Sequence, residues 1–204
     1  MNRFILLSAG CLLLFAGICS AGDYGFETTS EGISKGLLGI ETNPSSDKAG
    51  WESLTDKPKP PEKTKDVKVL KREKGMEVWE TIRVPQKRTG GFVNLQIQFD
   101  VNSYRIRPDS FPILDELGKA LVSPELKHRT LYINGHTDSD GKDKYNLRLS
   151  LNRAFSVKKY LIDHHAISPD RLKIMGYGEN MPLKPNTTAG NKQLNRRVEI
   201  VASE

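Results

Sequence analysis

Asp138 and Arg153 are the pair in this sequence with the most definite chemistry to offer. Asp138 lies in a polar loop, His136-Thr137-Asp138-Ser139-Asp140-Gly141, which follows a short apolar run (Leu131, Tyr132, Ile133) and a break at Gly135. Arg153 lies on a segment whose apolar residues Leu147, Leu151, Ala154, Val157 and Leu161 recur every three or four positions, the period of a helix. Asn146, Leu149 and Arg153 form a second stripe on that helix and neighbour one another. If the helix folds back beside the strand that feeds it, Arg153 comes within reach of Asp138. One carboxylate and one guanidinium at a shared cleft suit a zwitterion, Asp138 holding an ammonium and Arg153 a carboxylate. An Asp and an Arg at this separation are more often a surface salt bridge or two solvated groups. What favours a site is the setting, a glycine-broken loop leaving a strand, where open sheets place ligands.

Other chemistries find less support. His136 has no Cys, His or carboxylate near it at zinc-ligand spacing, so a structural role under the loop is favoured over a ligand or a base. The run from Asp138 to Asp143 resembles a calcium loop only superficially. Its glycine stands at the fourth place instead of the sixth, and Leu149 occupies the twelfth where Glu belongs. No G-x-S-x-G elbow is present. The basic run Asn195-Arg196-Arg197-Val198-Glu199 offers phosphate contacts as one reading. Arg197 and Glu199 sharing one sheet face, with Val198 and Ile200 packing on the other, is the simpler reading. The net charge of +6 suits an acidic polymer, nucleic acid or wall glycan, but no basic patch interleaved with aromatics accompanies it.

The elements that must position the pair can be read in order. Val93, Leu95, Ile97 and Phe99 alternate with polar residues, a strand with one buried face. A helix is predicted over 108–122, with Pro108 in its first turn and Ser123-Pro124 after it. Strand 129–134, helix 145–164 and strand 171–176 follow, then a loop rich in Pro, Asn and Gly over 178–190 and a last strand over 196–202. The order β-α-β-α-β-β predicts a two-layer α/β sandwich, two helices covering one face of a mixed four-stranded sheet. Its compact domain is expected over 91–204. Residues 67–84 read as a separate β-hairpin turning at Glu73-Lys74-Gly75, with 67–90 as hairpin and connection.

Upstream, residues 22–66 hold many glycines and the run Lys57-Pro58-Lys59-Pro60-Pro61-Glu62-Lys63, so a partly disordered arm with a semi-rigid linker is expected. Ile33, Leu37, Leu38 and Ile40 suggest either one helical turn for a partner or a weakly ordered apolar patch. Residues 1–21 carry one charge, Arg3, and an apolar run from Phe4 to Ile18, then the small residues Ser20 and Ala21. This predicts a cleaved export signal; the apolar run is short for a membrane span, which takes about 20 residues. Both cysteines, Cys11 and Cys19, lie in this segment, so a chain cut after Ala21 has no disulfide. Acylation of a cysteine is the rival reading. It is disfavoured by the apolar run after Cys11 and by Ile18 before Cys19.

Many ordered positions together resemble the OmpA-like C-terminal domain family. They are Phe99-Asp100-Val101-Asn102-Ser103; Gly135-His136-Thr137-Asp138, Gly141, Tyr145-Asn146, Leu149-Ser150, Arg153-Ala154, Val157 and Tyr160-Leu161; then Gly176-Tyr177-Gly178-Glu179, Pro182, Asn186 and Asn195-Arg196-Arg197-Val198-Glu199. The resemblance covers about residues 92–202. It implies non-covalent binding of peptidoglycan through the diaminopimelate of its stem peptide, with Asp138 and Arg153 on the two ends. Phe99, Asp100, Thr137 and Leu149 are implied to line the same pocket. Asn191-Lys192 departs from the Gly-Arg of many members, and residues 22–90 are too few for an outer-membrane barrel. The expectation is a periplasmic, wall-associated protein without cofactor or metal, attached to the outer membrane or not, which tethers itself or a partner to the wall. Peptidoglycan is its expected ligand, and an envelope protein met by residues 22–90 its second partner; no nucleic acid is expected. The rivals are a wall hydrolase using Asp138 or His136, and a structural subunit of an envelope machine such as a stator or secretion complex.

Overall fold

In the computed structural model of the protein, residues 26–40, 64–85, 91–100 and 102–203 are described. The export signal, the lipidation sites and the Lys/Pro run all lie outside the described residues. In chain order the elements are α1 (Ser30–Leu37), β1 (Thr64–Glu73), β2 (Met76–Pro85), β3 (Phe92–Leu95), α2 (Phe111–Leu121), β4 (Leu131–His136), α3 (Asp143–His165), β5 (Leu172–Gly178), α4 (Ala189–Asn195) and β6 (Val198–Ala202).

The two-layer α/β arrangement follows the hydrophobic pattern. Leu131 and Ile133 of β4, Leu172 and Ile174 of β5, and Val198 and Ile200 of β6 turn to the helical face; most are fully buried. There they meet Leu147, Leu151, Ala154, Val157 and Leu161 of α3 and Leu114, Leu117 and Leu121 of α2. The sheet has six strands, in the order β2-β1-β5-β4-β6-β3, and not the four of the pattern. β4 and β5 are parallel and every other pairing is antiparallel.

The two extra strands are the hairpin. It turns at Lys74 (φ 48°) and Gly75 (φ 82°), both left-handed as a two-residue turn matched to strand twist requires. It is no separate unit. Leu70 pairs with Gly176 and Lys71 with Met175, and Leu70 is fully buried in the main core. Val67, Val69 and Val84 form a second apolar cluster with Tyr177 on the other face. An amphipathic hairpin followed by Pro85 looks self-contained in sequence; nothing local marks the edge of β5 as its dock.

Within the arm, residues 26–40 are described and are ordered. Ser30–Leu37 is an eight-residue helix capped by Thr29, whose hydroxyl accepts from the Gly32 N–H at 3.1 Å. Ile33 and Leu37, one turn apart, are fully buried in the main core, and Leu38 packs against it. Each such burial stabilises by about 1.5–3 kcal/mol, enough to order a short helix that could not stand alone. The Ser30 N–H donates to Glu116 Oε2 at 2.9 Å, tying α1 to α2, and Phe26 bridges to Asn94 beside β3. Ile33, Leu37 and Leu38 look inert in sequence only until α2 and β3 supply the surface they cover, while Ile40 stays exposed.

Two tests follow from this docking. Leu37→Ala is expected to lower the unfolding free energy by about 2–5 kcal/mol in urea titration. A change within ±0.5 kcal/mol would mean that α1 is incidental. Lys119, then the Ser30 backbone and hydroxyl, hold the Glu116 carboxyl down to about 2 from its ordinary 4.5. A depressed acid contributes stability above its unfolded value and loses it as pH falls through the folded one. Amide protection of Ile33–Leu37 should therefore hold above pH 4.5 and fall between that pH and about 2.

Candidate functional site

The site forms where the ends of β4 and β5 and the start of β6 converge. The Thr137 N–H donates to Gly178 O at 2.9 Å, and the His136 N–H donates to Arg197 O at 3.0 Å. A register shift at Gly135/His136 lets β4 bend out of the sheet just before Asp138. The backbone of α3 lies almost against that of the strands. A Cβ on Gly135 would stand 2.0 Å from Ser150 O, and one on Gly176 2.5 Å from Leu147 O. The Ser150 hydroxyl accepts from the Gly178 N–H at 2.9 Å and sews the same seam.

This approach brings Asp138 and Arg153 to one place, both nearly sealed, at 7% and 8% exposure. Arg153 Nε donates to Ser103 O at 3.1 Å, and its guanidinium carbon stands 4.9 Å from the centre of the Phe99 ring, a cation–π contact. Burial pulls the Arg153 guanidinium below its ordinary value; nearby Asp138 opposes that shift and Arg196 adds to it.

The partner of Asp138 is Arg196, the residue that the sequence reading left unassigned. Arg196 Nη1 holds Asp138 Oδ2 as a charge-assisted pair, while its Nη2 donates to Gln193 Oε1. Asp138 Oδ1 accepts from the Asp140 N–H at 3.1 Å. The site is therefore one carboxylate with two guanidiniums, not the lone pair expected. A signal for Arg196 did exist. Asn195 and Arg197 bracket it, and Asn195 is fully buried as the lock of the preceding loop, accepting from the Leu183 and Lys184 N–H groups and donating to Lys184 O and Asn186. That lock and α4, which the loop-like composition hid, aim Arg196 at Asp138. Lys192 of α4 ties to Asp140 at 2.6 Å, so the Asn191-Lys192 departure also touches this loop.

The remaining expected residues divide. Phe99 lines a small cavity of about 40 Å³ with Arg153, Arg196, Gln193 and His136. Thr137 is buried, and its hydroxyl has no hydrogen-bond partner among the described residues. Leu149 is half-buried on the Arg153 stripe, and Asp100 is exposed. Neither those two nor Thr137 lines the cavity. Asn146, on the same stripe, is buried and donates to Glu179 Oε2 at 2.7 Å and to Asp138 O at 3.4 Å. His136 stacks on Tyr177 with ring centres 5.1 Å apart, its Nε2 3.6 Å from Glu199. Burial under the loop suits the structural role. Arg197 donates to Asn94 Oδ1 at 2.9 Å and to Met181 O at 3.1 Å, and Glu199 accepts from Asn134 at 2.9 Å.

The close seam makes a sharp expectation. Gly135→Ala must push α3 off the sheet and carry Arg153 away from Asp138. It should lower the melting temperature by several degrees, as a cost of about 1–3 kcal/mol does in a domain of this size. Gly190→Ala, where a Cβ meets nothing within 4 Å, should leave it unchanged in the same calorimetric scan.

Comparison with known proteins adds ancestry to this geometry. Residues 98–196 match the model of the OmpA family. Outer membrane porin F of Pseudomonas aeruginosa is 34% identical over 107 residues, covering 52% of this chain and 30% of that protein. The probable lipoprotein YiaD of Escherichia coli is 36% identical over 107 residues, 52% of this chain and 48% of its own length. The chain thus spans between about a third and a half of these curated relatives. Among solved structures, the periplasmic domain of Helicobacter pylori MotB superposes with a TM-score of 0.50 at 28% identity, over 59% of this chain and 78% of that one. On these grounds residues 98–196 are an OmpA-family domain.

Proposed function

We propose that this domain binds peptidoglycan without cleaving it, gripping the diaminopimelate of the stem peptide between Asp138 and Arg153, and so tethers the chain to the cell wall. The observation that carries the reading is the convergence of those two side chains, nine-tenths buried, beside a cavity that Phe99 walls. A carboxylate and a guanidinium held out of bulk water, each with its geometry pre-set, match the ammonium and carboxylate of one amino-acid end.

Arg196 makes the site self-satisfied before ligand arrives. A cavity of about 40 Å³ holds little more than a water molecule or two, so the ligand ammonium must take the place of Arg196 on Asp138 Oδ2. Arg196 is the more exposed partner, 38% against 11% for the Asp138 side chain, and can swing outward. A released Arg196 then stands beside Arg153 as a second cation for the ligand carboxylate. The hydrolase reading is the weaker one: Asp138 sits beside two guanidiniums that hold it as a charged anchor, and His136 is 1% exposed and stacked on Tyr177.

On this reading the protein works in the periplasm against the wall, which its likeness to the periplasmic domain of MotB supports. The envelope partner of residues 22–90 is part of the same proposal. It must meet a segment of which 26–40 and 64–85 already pack onto the domain.

Asp138→Ala and Arg153→Ala should each weaken co-sedimentation with diaminopimelate-containing sacculi by about 2–5 kcal/mol, roughly 30-fold or more, because each strands a charge. Sacculi carrying lysine at that position lack the distal carboxylate and should bind the wild-type chain weakly. Dye-labelled sacculi should release nothing on incubation. Equal sedimentation of both variants and the wild type removes the assignment.

A further inference from the structure

A second cleft, of about 740 Å³, opens at the opposite end of β5 from Asp138. It exists because β1 and β5 pair over only two positions, Leu70 with Gly176 and Lys71 with Met175. Beyond them Arg72 and Glu73 diverge from Ile174 and Lys173, and the sheet is split by a wedge. On the sheet's outer face the wedge is bordered by Lys71, Lys173 and Tyr132; on the helical face by Arg72, Lys158 and Phe155. The faces follow from the pairings: Lys71 lies opposite Met175, which shares its face with Lys173, whereas Arg72 donates to Asn152 of α3 and stacks 5.0 Å over Phe155.

Charge in the wedge is one-sided. Lys71, Arg72, Lys74, Lys158 and Lys173 face Glu73 and Asp170. Lys71 and Arg72 are paired with Glu80 and Glu77 of β2, but Lys74 and Lys173 make no ion pair among the described residues. Lys158 reaches into the split and donates to Leu172 O at 2.6 Å and Pro169 O at 2.9 Å, supplying a donor to the β5 carbonyl where β1 no longer reaches. Its burial, with Lys173 nearby, pulls its ammonium below the ordinary value.

We propose that this wedge is a binding site for an acidic peptide segment in extended conformation, laid between β1 and β5. The side chains of an extended strand alternate between faces, so carboxylates at successive positions would meet Lys71 and Lys173 on one side and Arg72 and Lys158 on the other. A phosphate or a lipid headgroup would call for cations gathered on one face, which is not the arrangement here. The volume lies in the range of ligand-binding clefts, and the aromatic walls give the stem of each acidic side chain an apolar surface. The site is remote from Asp138 and independent of the wall-binding reading.

The test is fluorescence anisotropy of a labelled octapeptide of two Glu-Glu-Val-Val repeats, which carries carboxylates on both faces when extended, titrated with the full chain. Saturable binding is expected, weakened at least tenfold by Lys173→Glu, an exposed position that should leave sacculus co-sedimentation at the wild-type level. A matching peptide with Pro in place of each Val, short of backbone donors, should bind at least tenfold more weakly. Three results would each overturn the proposal: no saturable binding, binding unaltered by Lys173→Glu, or equal binding of the proline peptide. The last would reveal a plain polyanion patch. Competition by anionic phospholipid vesicles but not by unlabelled peptide would also overturn it, in favour of a membrane surface.

Discussion

The site depends on how closely one helix can lie on two strands. Without side chains at Gly135 and Gly176, the backbone of α3 near Leu147 and Ser150 sits within contact distance of the strand backbones. That distance sets the reach of Arg153 and the loop that carries Asp138. It is a steric condition first and an electrostatic one second. A single methyl group at either glycine would separate two charges whose own attraction is too weak to pull the layers together again. The polar bonds across the seam, Ser150 to Gly178 and Asn146 to Glu179 and the Asp138 carbonyl, then fix the angle at which the elements meet.

Once assembled, the charges explain one another. Two guanidiniums and a carboxylate at the edge of a nearly closed pocket leave a net positive balance, and the Phe99 face and the Ser103 carbonyl absorb part of the cost of keeping Arg153 there. Arg196 resolves the rest by pairing with Asp138, so that the buried carboxylate is not left bare.

Much of this was legible in the residues. Period-two and period-3.6 patterns located the strands and helices that flank Asp138 and Arg153, and the glycine at 135 marked the turn out of the sheet. The pattern was silent wherever an element owes its order to a distant surface. Ile33 and Leu37 read as a stray patch because α2 and β3 lie far along the chain. The hairpin read as free because its dock on β5 covers only two residue pairs. α4 was hidden in a loop of Pro, Asn and Gly, and with it the reach of Arg196 to Asp138. Local periodicity reports a buried face but not its partner. Leu149 and Asp100 rest on the resemblance alone, and neither lines the small cavity.

The sheet order β2-β1-β5-β4-β6-β3 also bears on how the chain reaches its native state. Strands made early end beside strands made late: Leu70 waits for Gly176, and Phe92 for Val201. Ile33 and Leu37 are buried only when α2 has formed. Contacts so remote along the chain make productive collapse slow, and Ile33, Leu37 and Leu70 stay unburied in the meantime. The final third of the chain must therefore be present before the first can close its core.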